Sequence, residues 1–221
     1  MRRTIEILVM SIILVFIACT GLACSTDGYS TKELDGYTQI TVKNDLGSYS
    51  LEYPSHYRES IGEDTEFWVP YAYLHLDGPV ANQTADVFDP DTGEIQTVVG
   101  QRGSSYINVE ISNFTLGYGE VFTATAALER RLEGESTWKS FKLLERSPVT
   151  ISGVEGELVV YLNNQLMPLP VEDENSLEYV CSVFFNHNEL TWEITATSFE
   201  SLQVQVRADF DHVISTFKLL K

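Results

Sequence analysis

Between residues 38 and 219 apolar and polar positions alternate in short runs, the period of half-buried strands, and the period becomes helical only twice. Residues 38–42 and 49–53 alternate, and Pro54 stops the second run because proline cannot continue a central ladder. Residues 67–76 are rich in aromatic and apolar side chains, and 87–99 read as a hairpin around Asp89-Pro-Asp-Thr-Gly93. The clearest period of two lies at 106–111, with Ile107, Val109 and Ile111 on one face. Residues 119–132 change to helical spacing, with Val121, Thr125, Leu128 and Leu132 in register and Glu129, Arg130 and Arg131 on the other sides. Strands follow at 141–145 and 149–163, the second broken by the turn-prone stretch from Gly153 to Gly156. A further hairpin joins 179–185 to 190–197 through residues 186–189. The last segment, 200–219, sets Leu202, Val206, Phe210, Val213 or Ile214, and Phe217 on one stripe, the pattern of a terminal helix packing onto a sheet.

Helices here flank strands rather than alternating with each of them, which predicts an α+β class. We expect one domain, 38–221, with a central and mainly antiparallel sheet flanked by helices, the C-terminal amphipathic helix among them. There is no internal repeat.

The N-terminus has a different pattern. Arg2 and Arg3 precede an apolar run from Ile7 to about Ala18, and two cysteines follow small residues, in Ile17-Ala18-Cys19 and Leu22-Ala23-Cys24. Basic residues ahead of a short apolar core hold the chain end in the cytoplasm while the core enters the export channel. A cysteine after a small residue at the end of such a core resembles a bacterial lipobox, where the thiol is acylated. We take 1–23 as the signal peptide and Cys24 as the lipidated residue, with Cys19 as the alternative. An uncleaved anchor would need residues 7–23 to span hydrocarbon, at the short end of what suffices. Residues 25–37 are polar and glycine-punctuated without either period, so 24–37 are expected to form a flexible tether.

Charge restricts the partners. Of 221 residues, 14 are Lys or Arg and 32 Asp or Glu, a formal net charge of −18. Such a surface repels phosphate backbones and anionic headgroups, so nucleic acid is not an expected partner and membrane attachment falls to the lipid. With Cys24 acylated, Cys181 sits within the apolar run Tyr179-Val-Cys-Ser-Val-Phe-Phe185 and reads as a small buried hydrophobe.

Few residues carry chemistry. The four histidines form no metal-spaced pair, and there is no Gly-x-Ser-x-Gly elbow. His187 in a hairpin turn and His212 in the terminal helix read as exposed polar residues. Asp86, Asp89, Asp91 and Glu94 gather around Gly93 and could offer oxygens to calcium, but Gly93 comes one position too early for an EF-hand loop. Pro90 and Gly93 are also what a hairpin turn needs, so these four are weak metal candidates only. The irregular stretch 163–176 contains Leu166, Met167 and Leu169 beside Pro168 and Pro170, then Glu172, Asp173 and Glu174. Those six residues form a candidate docking loop: apolar side chains on a stiffened backbone beside charges that would steer a basic partner.

Separated motifs resemble one family. Tyr49-Ser-Leu-Glu-Tyr-Pro-Ser-His-Tyr57 resembles the early strand and Tyr-Pro element of PsbP-like proteins. The run Val149-Thr-Ile-Ser-Gly-Val-Glu-Gly-Glu-Leu-Val-Val-Tyr161 is similar to their central strand element, and Phe210-Asp-His-Val-Ile-Ser-Thr-Phe-Lys218 to their closing helix. The resemblance implies an α/β/α sandwich around an antiparallel sheet, shared with oxygen-evolving enhancer-type proteins and with exported bacterial lipoproteins. His56-Tyr57 stands where the family usually has Gly-Trp, and no functional residue is carried over.

Together these features point to a lipid-anchored, extracytoplasmic, non-enzymatic domain that binds a protein or envelope component, with no cofactor. The alternative is a small-ligand or cation-binding lipoprotein serving a transporter or membrane assembly, for which Trp68, Tyr71, Tyr73 or Trp192 would line a concave aromatic pocket. Replacing Cys24 with Ser is expected to move the protein from the membrane to the soluble fraction or to leave an unprocessed precursor. Unchanged processing and membrane retention on fractionation would shift the site to Cys19 or support the uncleaved anchor.

Overall fold

The computed structural model describes residues 28–64, 69–88, 93, 95–113, 123–137, 141–163 and 177–221, and the signal, both candidate lipid cysteines and the 164–176 loop lie outside them. In chain order the elements are β1 (Tyr29–Glu33), β2 (Tyr37–Lys43), β3 (Ser48–Pro54), β4 (Arg58–Asp64), β5 (Tyr71–Phe88), β6 (Ile95–Ser112) and α1 (Ala124–Glu135). Then come β7 (Lys142–Ile151), β8 (Val154–Asn163), β9 (Glu178–His187), β10 (Leu190–Phe199), a 3₁₀ turn (Glu200–Leu202), α2 (Gln203–Thr216) and β11 (Lys218–Leu219). The class is α+β: among the described residues, mostly antiparallel sheet with two α-helices.

The strands form two sheets rather than the one expected. A seven-stranded sheet runs β4-β5-β6-β10-β9-β8-β7, and a four-stranded sheet runs β1-β2-β3-β11. Alternation along β2 and β3 could not reveal this, because a half-buried strand has the same period whichever sheet it joins. The small sheet and α2 together cover one face of the large sheet. Ile40, Val42, Tyr49, Leu51 and Tyr53 from β2 and β3, with Val206, Phe210 and Val213 from α2, share one buried cluster with Leu74, Leu76, Ile107, Val109, Ile111, Cys181, Val183 and Ile194. At its centre four rings meet: Trp192 stacks on Phe185 with centroids 5.7 Å apart and meets Tyr49 and Phe217 edge-on at 5.6 and 6.0 Å. Phe217 ends α2 in extended conformation and delivers β11 to the edge of β3, where Lys218 pairs with Ser50.

On the opposite face lies α1. Ala124 and Leu128 pack against Val159, Tyr161, Val180 and Phe184 of β8 and β9, the alternate positions to those facing the main core. Thr123 caps the helix, its Oγ1 accepting from the Ala126 N–H at 3.1 Å. The helix therefore starts at Ala124 and ends at Glu135, later at both ends than the expected 119–132. The cap is the reason for the later start, since Thr123 is extended and its hydroxyl accepts from an N–H of the first helical turn.

Three further boundaries differ from the expectation. Tyr29–Glu33, within the presumed tether, pairs with β2 from Tyr29↔Val42 to Glu33↔Thr38. Four of its five side chains are exposed, so backbone hydrogen bonds hold the strand and no apolar period betrays it. The segment 149–163 is parts of two strands: the turn lies at Ser152 and Gly153, with φ of 50° and 81°, so β7 reaches Ile151 and β8 starts at Val154. The hairpin near Gly93 is present, but its strands are 18 residues each and absorb the separate runs at 67–76 and 106–111. The 186–189 turn is where the sequence placed it, with Asn188 and Glu189 at positive φ.

Phe210 is 1% exposed and Phe217 2%. Truncating either to Ala is expected to lower the unfolding free energy by about 3 kcal/mol or more, read from urea denaturation. A loss under about 1 kcal/mol at both positions would contradict the packing of α2 described here.

Candidate functional site

One face of the large sheet carries the main core, and on the other α1 covers β8 and β9. Beyond α1, on β10, β6 and β5, the outward positions are polar or aromatic: Thr191, Glu193, Thr195 and Thr197, then Tyr106, Asn108, Glu110 and Ser112, then Tyr71, Tyr73, His75 and Asp77. Register brings these into rows across the strands, because directly paired residues point to the same side. One row runs Tyr73, Glu110, Glu193; the next runs His75, Asn108, Thr195.

Glu110 and Glu193 thus stand directly opposite each other, a like-charge pair that destabilises a sheet unless something neutralises it. Arg131 does so, reaching over from α1 to place Nη2 at 3.1 Å from Glu193 Oε2. The Glu193 side chain is 15% exposed and that of Arg131 40%. The Thr195 hydroxyl donates to the other Glu193 oxygen at 2.6 Å and shares a 2.8 Å bond with Ser182, while Ser112 donates to Glu110 at 2.9 Å. Tyr161 also interacts with Arg131, and the Asn163 amide donates to Glu135 at the far end of α1. Around these groups is a cavity of about 100 Å³ whose walls include Tyr106, Asn108, Glu178, Val180 and Thr197.

Electrostatics follow from this placement. Burial raises the pKa of Glu193 above the usual carboxylate value, Arg131 opposes the rise, and Glu110 and Glu135 add to it. The Glu193 carboxylate in turn raises that of Arg131, and burial chiefly raises that of Tyr161. The arrangement holds a cation among carboxylates and offers hydroxyl and amide groups around it. It does not align a nucleophile with a base. Among the described residues no group of three or more His, Cys, Asp or Glu is placed to hold a metal ion.

The residues singled out in the sequence fall elsewhere. Cys19, Cys24, Leu166, Met167, Leu169, Glu172, Asp173 and Glu174 lie outside the described residues, as do Asp89, Asp91 and Glu94; Asp86 is in β5, opposite Thr97. Cys181 is fully buried, as expected, and burial pushes its thiol up to about 11. The aromatic pocket does not form: Trp192 is in the main core, whereas Tyr71 and Tyr73 lie on the opposite face of the same sheet, and Trp68 is outside the described residues. His212 is not an exposed helix residue. Its ring stacks on Tyr37 with centroids 3.9 Å apart and its Nε2 lies 3.5 Å from Glu52, because α2 is overlaid by the small sheet that the sequence did not reveal. Glu110, Glu193 and Arg131 were not singled out. Their signal was present in Thr191-x-Glu193-x-Thr195-x-Thr197, a polar face on a strand whose other face is wholly core.

No protein-family profile and no curated protein matches the chain. Several solved structures are similar to it, among them the following three. One is a Pseudomonas aeruginosa protein of unknown function, at a TM-score of 0.40 and 15% identity, over 76% of this chain and 88% of that one. The second is LpqN, involved in cell envelope biogenesis of Mycobacterium tuberculosis, at 0.47 and 13%, over 84% and 92%. The third is the cyanobacterial PsbP protein CyanoP from Synechocystis, at 0.45 and 13%, over 90% and 96%. A PsbP protein is thus among the structural neighbours, the family that the sequence motifs resemble.

Arg131→Met tests the coupling. Without the guanidinium, the Glu193 pKa rises further. A carboxyl whose folded pKa lies above its unfolded value favours the folded state most below the unfolded pKa, and that advantage is lost as pH rises through the folded one. The variant is therefore expected to be less stable by about 1–2 kcal/mol at pH 7, with the deficit narrowing as pH falls toward about 4. Urea unfolding at several pH values measures this, and a deficit independent of pH would show the pair to be uncoupled.

Proposed function

We propose that this chain is a lipid-anchored, extracytoplasmic, non-enzymatic binding domain of PsbP-like α/β/α type, whose acidic outer sheet face receives a basic segment of a protein partner. The observation that carries this reading is the Arg131 guanidinium already held at Glu193 beside Glu110. A site that holds its own guanidinium is chemically suited to a partner's Arg or Lys. The net charge of −18 adds long-range attraction for a basic partner. At this acidic site a macromolecular partner fits better than a small ligand, because its cavity of about 100 Å³ holds roughly three waters whereas cofactor sites occupy about 300 Å³ or more. No described helix is long and apolar enough to cross a membrane. In this reading lipid at Cys24 supplies the attachment.

Site-specific photo-crosslinking in the native envelope tests the binding surface. A crosslinker at Tyr73, 38% exposed on the polar face, is expected to capture a discrete protein that the same crosslinker at Val204 does not. Val204 is 86% exposed on α2, across the large sheet from this face. Adding Glu110→Gln with Glu193→Gln should abolish the Tyr73 adduct. Capture only from Val204, or from Met167 in the candidate docking loop, would place the interface elsewhere.

A further inference from the structure

The β5–β6 hairpin outruns the sheet that contains it. β4 pairs with β5 only as far as Arg58↔Asp77, and β10 pairs with β6 only as far as Thr197↔Tyr106. Beyond those points β5 and β6 continue together from Val80↔Ser104 to Phe88↔Ile95, and among the described residues neither pairs with any other strand there. At the root of this arm a register shift between Asp77 and Val80 accommodates Gly78 and Pro79. A Cβ at position 78 would run into the Tyr57 ring, and the Ser105 hydroxyl donates to the Pro79 carbonyl at 2.8 Å. Pro79 has no N–H to offer, so the bulge ends pairing with β4 and the two strands leave the body. Nine residues of strand, Val80–Phe88, carry the arm about 30 Å outward.

A two-stranded ribbon is marginal in water by itself and presents unpaired N–H and C=O groups along both edges. Natural edges are usually guarded by lysine, proline or short length. Residues 95–101 of β6, Ile-Gln-Thr-Val-Val-Gly-Gln, contain no charge, no proline and four β-branched residues. In a chain of net charge −18, that run is where a second equally acidic copy can approach with least repulsion. An arm of about 30 Å also keeps the two acidic bodies apart, so that their repulsion is felt at low ionic strength, where the Debye length is about 30 Å, and is screened at physiological salt.

We propose that the arm is a self-association device: the β6 edges of two copies pair antiparallel about a two-fold axis near Val98 and complete a four-stranded sheet. A two-fold contact is isologous, so each copy supplies the same edge and the assembly closes as a dimer. The pairing sets Val98 of one copy opposite Val98 of the other. Because the bodies repel, added salt strengthens the association.

Sedimentation of the full chain in detergent, from about 1 to 100 µM, is expected to show a monomer–dimer equilibrium that tightens with salt. Val98→Lys and Val98→Glu each place like charges across the two-fold and should each weaken the dimer about tenfold or more. An equimolar mixture of the two variants should restore it, a result that local misfolding of the arm would not give. A chain in which residues 84–99 are replaced by Asn-Gly, joining the Gln83↔Gly100 pair directly, should be monomeric with an unchanged melting temperature. A native chain that stays monomeric throughout, single-charge variants that dimerise like the native chain, a mixture that does not recover, or a shortened chain that still dimerises would each overturn the proposal.

Discussion

The rings of Tyr49, Phe185, Trp192 and Phe217 hold the two layers of this protein together. Tyr49 comes from the small sheet, Phe185 and Trp192 from adjacent strands of the large sheet, and Phe217 from the end of the last helix. Their centroids lie 5.5–6.0 Å apart in stacked and edge-on pairs, separations at which aromatic rings attract beyond the area they bury. Everything on that side depends on this contact. The small sheet has no other large apolar surface to cover, and Phe217 must be anchored for Lys218 and Leu219 to close the β3 edge. Burial raises the Tyr49 phenol well above its ordinary pKa, so this ring stays neutral and the cluster remains an apolar junction.

Strength on the inner face permits departure from good sheet design on the outer one. Two glutamates directly opposed across neighbouring strands cost stability, and so does burying Glu193. An arginine on a helix and two hydroxyls offset the cost without removing it. Groups held at a local disadvantage by a rigid surround are common where a protein binds something. The same sheet continues without a break from this acidic cleft on β6 and β10 into the β5–β6 arm with its uncharged run at 95–101, so β6 carries both proposed contacts.

How much could be read in advance follows the kind of force involved. Where an element buries an apolar stripe, the stripe is in the sequence. Val206, Phe210, Val213 and Phe217 announced α2, and Ile107, Val109 and Ile111 announced β6. Where backbone hydrogen bonds and a single half-buried side chain hold an element, there is no period to read, and Tyr29–Glu33 looked like a tether while Lys218–Leu219 went unnoticed. The extent of the arm was hidden for the same reason, since two strands paired only with each other need no apolar period. The cleft was half legible: the alternating polar residues on β10 are plain, but nothing local says that Glu110 will stand opposite Glu193.

The sequence by itself determined which residues are core and which segments can be strand or helix, because burial depends on side-chain chemistry and its spacing along one element. It also determined the charge of −18 and the basic-then-apolar pattern of the N-terminus, since both are properties of composition and order. Only the tertiary structure decided that the strands divide between two sheets, that Trp192 and Tyr73 lie on opposite faces of one of them, and that Arg131 crosses from a helix to Glu193. Those depend on register and on which surfaces meet. Contacts between residues 62 positions apart, as for Arg131 and Glu193, are selected by the packing of the whole chain rather than by any stretch of it.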